Sequence, residues 1–208
     1  MTGAVDSPEA FLARVSSETN AVDLLNNGTQ LLEQGRVPEA ILCYQRAVEL
    51  KPEDEEAHFN LGVACGRAGQ LAEAERHYRA ALKLFPEYVE AHNNLGNVLT
   101  RQKRYAEAAA EFKVALELAP ENASAHNNLG RALAEQGHAA AALEQFATAA
   151  RLDTNYVEAY FNLGSSYMNV GQTNAALVQF NTVLRLRPGF APALQMISRL
   201  QPAGNRPR

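Results

Sequence analysis

The sequence predicts an all-α protein in which helical hairpins repeat in tandem. Three observations carry this. Gly28, Gly62, Gly96, Gly130 and Gly164 recur every 34 residues, and so do Ala40, Ala74, Ala108, Ala142 and Ala176. An aromatic ring keeps the same interval at Tyr44, Tyr78, Phe112, Phe146 and Phe180. The period closes on a proline at Pro52, Pro86, Pro120 and Pro188, with Thr154 in the fourth place. Self-similarity at such a period marks a solenoid, in which no single unit buries both its faces and neighbours stack to form a continuous core.

The elements follow in order. Residues 1–20 form an N-terminal segment. Ser7-Pro8-Glu9 reads as a helix start, and Phe11, Leu12 and Val15 offer an apolar stripe. This segment is expected to cap the first repeat; lying in a groove as an internal ligand, or disorder, are the alternatives. The repeats occupy 21–54, 55–88, 89–122, 123–156 and 157–190. In the third, helices are expected over about 90–102 and 106–118. Leu95, Val98 and Leu99 stripe the first of these, and Ala108, Phe112, Ala115 and Leu116 the second. Gly96 and Ala108 allow close approach of the two axes, and Phe112 fills the space beside them. Pro120 stops the second helix. The turn inside the hairpin carries Gly35, Gly69, Gly137 or Gly171, since glycine takes a left-handed helix-ending conformation without a Cβ penalty. Lys103 holds that place in the third repeat. Residues 191–200 are expected to form a capping helix opened by Pro192, with Ala193, Leu194, Ile197 and Leu200 inward and Gln195, Ser198 and Arg199 toward water. The tail 201–208 is expected to be disordered.

Composition narrows the function. Apolar residues make up 47% and charged residues 20%, a soluble profile, and the formal net charge of -4 disfavours a phosphate backbone as partner. No apolar run is long enough to span a bilayer, and the N-terminus lacks the basic start and apolar core of a secretory signal. A cytoplasmic protein is the expectation. Cys43 and Cys65 read as small buried hydrophobes. His58, His92 and His126 stand one period apart, but packed helices lie about 8–10 Å apart and a zinc ion needs nitrogens at about 2.0–2.1 Å, so they cannot share one ion. Gly62, Gly66 and Gly69 do not follow a strand and make no phosphate loop. No nucleophile, base and orienting acid are brought together. Neither an enzyme nor a cofactor is expected.

The Leu-Gly, Gly, Ala, Phe or Tyr, Ala, Pro pattern on this period, from Ala21 to Phe190, resembles the tetratricopeptide repeat family. The resemblance implies a right-handed superhelix with a concave groove lined by the first helix of each hairpin. Tryptophan is absent; Leu24, His58, His92, His126 and Tyr160 stand where the family often has a large aromatic. Asn26, Asn60, Asn94, Asn128 and Asn162 all lie two residues before the recurring glycine, a place that on the family's geometry faces or borders the groove. An asparagine amide offers one acceptor oxygen and two donor hydrogens, so it pairs with both the C=O and the N–H of a peptide unit. The asparagine ladder is similar to that of the arrays of O-linked N-acetylglucosamine transferases, which hold extended substrates. Hydrogen bonding between neighbouring helices is the other reading of these residues.

Helical spacing adds Asn93, Asn97, Asn127, Arg67, Arg101 and Arg131 to the groove. Glu56, Glu90 and Glu158 fall near its rim, and Phe59, Phe161 and Met168 on its apolar shoulders. The chaperone-binding branch of the family wants a lysine just before the asparagine row; Leu25, Phe59, Asn93, Asn127 and Phe161 stand there instead. The expected function is a scaffold binding an extended polypeptide, an unidentified protein or peptide. One alternative is the substrate-recognition region of a larger enzyme such as a glycosyltransferase. Another is a self-assembling structural module, a homo-oligomer joined through the solenoid ends.

Overall fold

The computed structural model describes residues 7–200, and among these it contains twelve α-helices and no strand. The chain divides into two compact units, the first running through Gln102 and the second starting at Lys103. The expected disordered tail lies outside the described residues.

The first unit holds α1 (Pro8–Ser17), α2 (Ala21–Glu33), α3 (Val37–Leu50), α4 (Glu55–Arg67), α5 (Leu71–Leu84) and α6 (Val89–Arg101). The Ser7 hydroxyl accepts from the Ala10 amide and starts α1, with Pro8 in its first turn. Phe11 and Val15 are 4% and 5% exposed, and α1 packs against α3. Burying a side chain of that size contributes about 1.5–3 kcal/mol. The segment therefore covers the first hairpin. Leu12 departs from its expected inward place and is 49% exposed. Phe11 and Val15, four residues apart, share one helix face, and Leu12 lies about 100° away from Phe11.

Each hairpin is closed by the same local chemistry. The side chains of Asn20 and Asp54 cap α2 and α4 by accepting from the amides of Val22 and Ala57. After α2 and α4, Gly35 and Gly69 take φ of 76° and 78°, and the next residue's amide reaches five back, Arg36 to Leu31 O and Gln70 to Cys65 O, each at 2.9 Å. Within the hairpin, the ring of Tyr44 lies on Gly28 and that of Tyr78 on Gly62. A Cβ built on either glycine would come within 2.6 Å and 2.8 Å of the ring. The aromatic ring, not the partner alanine, is what the recurring glycine makes room for.

The second unit holds α7 (Tyr105–Leu118), α8 (Ala123–Glu135), α9 (Ala139–Leu152), α10 (Val157–Asn169), α11 (Thr173–Leu186) and α12 (Ala191–Leu200). Its hairpins repeat the arrangement, with Phe146 on Gly130 and Phe180 on Gly164. The helices expected over 90–102 and 106–118 both begin one residue earlier, at Val89 and Tyr105. Lys103, between them, has φ of 63° and is the positive-φ residue other than glycine among those described. At the C-terminal end Ala176, Phe180, Val183 and Ala193 form a core against which Met196, Ile197 and Leu200 pack. Leu194, expected inward, is 49% exposed. Ala193, Met196 and Leu200 keep the three- and four-residue spacing of one face, and Met196 takes the place assigned to Leu194.

Candidate functional site

Helices α4 and α6 of the first unit bound an open cavity of about 460 Å³, completed by Tyr78 of α5. Its lining is Val63, Gly66 and Arg67 from α4 and Asn94, Asn97, Val98 and Arg101 from α6. Four of the residues predicted from sequence thus meet at one place: Arg67, Asn94, Asn97 and Arg101. The sequence reading did not pick out Val63, Gly66 or Tyr78 as lining. Val63 stands four residues before Arg67 on the same helix, a readable signal for the same surface.

The two arginines are held by backbone. Arg101 donates from Nη1 to the Gly66 carbonyl at 2.8 Å, and Arg67 donates from Nη1 to the Leu32 carbonyl at 3.3 Å. Each reaches back 35 residues, to the last turn of the preceding first helix. Carbonyls there have no partner inside the helix and carry the negative end of its dipole, so a guanidinium suits them. Elsewhere in this unit Arg36, Arg46, Arg76 and Arg79 pair with Glu39, Glu49, Glu73 and Glu75. Among the described residues Arg67 and Arg101 pair with no carboxylate. Tyr78 shares this lining with Asn94, and burial, first and foremost, pushes the ionisation of its hydroxyl upward. Asn97 is half-buried and faces the cavity.

The remaining asparagines divide. Asn26 is exposed and Asn60 half-buried. Asn93 is half-buried and engaged by other side chains or backbone. In the second unit Asn162 donates from Nδ2 to Asn127 Oδ1 at 2.9 Å, and Asn127 donates to the Tyr156 hydroxyl at 3.4 Å. Asn127 is only 3% exposed and Asn128 8%, so both amides serve helix contacts in this state. Arg131 is exposed. The structure therefore brings four predicted residues together in the first unit and turns part of the row in the second unit inward.

The histidines have a local use. The Nε2 atoms of His58, His92 and His126 lie 3.1, 2.9 and 2.9 Å from the carbonyls of Pro52, Pro86 and Pro120. A carbonyl only accepts, so Nε2 carries the proton. Each ring ties the start of a first helix to the turn before it. At His58 this leaves Nδ1 bare, and it accepts from Nδ1–H of His77 at 3.0 Å; His77 Nε2 then accepts from Arg76 at 3.0 Å. The His77 ring is neutral in this chain of bonds. His77 is held down at about 4 by burial, then by Arg76 and His58, which agrees. Among the described residues no three His, Cys, Asp or Glu side chains gather where a metal ion could be held, and no helix is long and apolar enough to cross a membrane.

On this geometry each unit is built of two-helix repeats whose first helices carry polar side chains. Sequence profiles of the tetratricopeptide repeat match residues 28–69, 65–123, 111–144, 130–171 and 157–190, a run without a gap from 28 to 190. The chain belongs to the tetratricopeptide repeat family. No curated protein sequence matches it significantly. Several solved structures share the fold. YrrB, described as a TPR protein with an unusual peptide-binding site, is 24% identical, with a TM-score of 0.73 over 92% of this chain and 100% of that one. PilF of Pseudomonas aeruginosa is 24% identical, with a TM-score of 0.78 over 91% and 84%. MamA of Desulfovibrio magneticus RS-1 is 24% identical, with a TM-score of 0.76 over 82% and 96%. At this identity the likeness is one of fold.

Proposed function

We propose that the chain is a non-enzymatic scaffold that binds an extended segment of another polypeptide along the first helices of its repeats. The cavity of the first unit is the observation that carries this. It is open and lined by two amides and two guanidiniums, and its polar heads come from helices that successive repeats supply at a regular interval. A folded ligand would need a shaped pocket; an extended backbone needs amides spaced along its length. Asn94 and Asn97 offer both donors and acceptors to a passing peptide unit, and Asn26 and Asn60 continue the row in the same unit. The peptide-binding site of YrrB, a protein of the same fold, supports the reading. Asn93, Asn127, Asn128, Asn162 and Arg131 are the further candidates for the surface.

The test is binding to an array of unstructured peptides by the wild type and by an Asn94→Ala/Asn97→Ala variant of matched stability. Loss of binding across many unrelated peptides is the expected result, because the amides read backbone and not side chains. Undiminished binding moves the site off this surface and overturns the assignment.

A further inference from the structure

We propose that the cavity between α4 and α6 takes an acidic side chain of the bound polypeptide, an Asp or Glu within the segment, held between the guanidiniums of Arg67 and Arg101. The inference rests on the groove reading above and adds to it the chemistry of the residue that the site selects.

Three observations support it. First, Arg67 and Arg101 line one cavity and neither pairs with a carboxylate among the described residues, whereas Arg36, Arg46, Arg76 and Arg79 of the same unit are all paired with glutamates. An anion entering that cavity is attracted by both charges. Second, both heads are already anchored. Arg101 is tied to Gly66 O at 2.8 Å and Arg67 to Leu32 O at 3.3 Å through Nη1 alone, so Nε and Nη2 keep their hydrogens for a ligand. A guanidinium has five donors in a planar fork that matches a carboxylate, and anchoring one corner removes part of the side-chain entropy that binding would otherwise cost. Third, the neighbours suit a residue inside a chain. Asn97 and Asn94 each carry an acceptor oxygen as well as donors. A mid-chain acidic residue brings its own backbone N–H and that of the residue after it to those two oxygens. A terminal residue has no following N–H, and leaves one of them unmatched.

The charge row around the cavity defines direction. Glu33 occupies in α2 the place that Arg67 and Arg101 occupy in α4 and α6. An acidic residue is attracted at α4 and α6 and repelled at α2, so the ligand's register along the unit is set by where its carboxylate falls.

The experiment uses the full chain and peptides that bind it in the array. Each peptide is made in three forms: unmodified, with its internal Asp or Glu changed to Asn or Gln, and with its C-terminus amidated. Affinities are measured by fluorescence anisotropy for the wild type and for Arg67→Gln/Arg101→Gln. Neutralising the internal residue is expected to weaken wild-type binding by about tenfold or more, the range of a charge-assisted bond. The same change should have little further effect on the Arg67→Gln/Arg101→Gln variant, and amidation should have none. The wild-type arm does not depend on how the variant folds. Loss on amidation instead overturns the side-chain assignment in favour of a chain end. Binding indifferent to acidic residues overturns this inference and leaves the groove reading intact. If no peptide binds at all, both fail together.

Discussion

Gly62 and Gly66 lie one turn apart on α4, and the same substitution at the two is expected to act with opposite sign. A Cβ on Gly62 falls 2.8 Å from Cε1 and 2.9 Å from Cδ1 of Tyr78. That ring is 3% exposed and rests against Phe59 at a centroid distance of 5.9 Å, so it has little room to withdraw. Forcing a methyl into such a place costs about 1–3 kcal/mol. Alanine returns up to about 1 kcal/mol through helix propensity. The net effect of Gly62→Ala is a loss of roughly 1–2 kcal/mol. On Gly66 the nearest atoms to a new Cβ are Tyr78 Oη at 3.8 Å and Ala74 Cβ at 3.9 Å, ordinary contact. Only the propensity term acts there, and Gly66→Ala should stabilise by about 0.5–1 kcal/mol, reduced somewhat by its place in the last turn. Urea denaturation followed by circular dichroism reads the difference. With a slope of about 1–3 kcal/mol per molar, the two midpoints should separate by roughly 1 M, with wild type between them. Equal midpoints, or a more stable Gly62→Ala, would refute the claim that the recurring glycine is there to seat the ring.

The other predictions concern the turn, the histidine pair and the inward asparagines. Lys103→Gly relieves a left-handed backbone that costs a side-chain-bearing residue about 1–2 kcal/mol, less the roughly 0.5–1 kcal/mol of extra chain entropy that glycine loses on folding, so the melting temperature should rise by a few degrees; a fall counts against it. His77 is depressed to about 4 from 6.5, so its contribution is complete above pH 6.5 and is lost as pH falls from there toward 4, by roughly 3 kcal/mol in all. His77→Gln should flatten the stability profile across that window, measured as urea midpoints at pH 7 and pH 5; an unchanged slope would show that other groups set it. Asn162→Ala strands the buried oxygen of Asn127 and should cost about 1–3 kcal/mol, with much of the loss absent when Asn127 is already alanine. Additive losses in that double-mutant cycle would mean that the two amides do not depend on each other.

Periodicity made the helical architecture legible because a repeat protein reports each structural demand several times over. The glycine, the ring and the turn glycine each recur, and helix bounds at Val89, Tyr105 and Ala191 fall within a residue of expectation. Even the exception was readable: Lys103 stands in a glycine column and takes a glycine's φ. The list of candidate groove residues was legible too, since helical spacing alone places Arg67, Asn94, Asn97 and Arg101 on first helices. Which of them converge was not. Asn94, Asn128 and Asn162 are equivalent in the sequence, yet Asn94 lines a cavity, Asn128 is buried, and Asn162 is tied to Asn127. Leu12 and Leu194 likewise look the same as their inward neighbours by composition, and only the rotation of α1 and α12 against the helices they cover leaves them outside.

The sequence by itself determined the class of fold, the place of each turn and which polar side chains the first helices carry. These follow from backbone propensities and steric demands that act within one repeat and are written there in full. The tertiary structure alone decided which amides are spent on neighbouring helices, which histidine nitrogens carry protons, and that two arginines anchored to carbonyls 35 residues away line one open cavity. Those outcomes depend on distances between side chains of successive repeats, and a distance of that kind is set by packing and not by spacing along the chain.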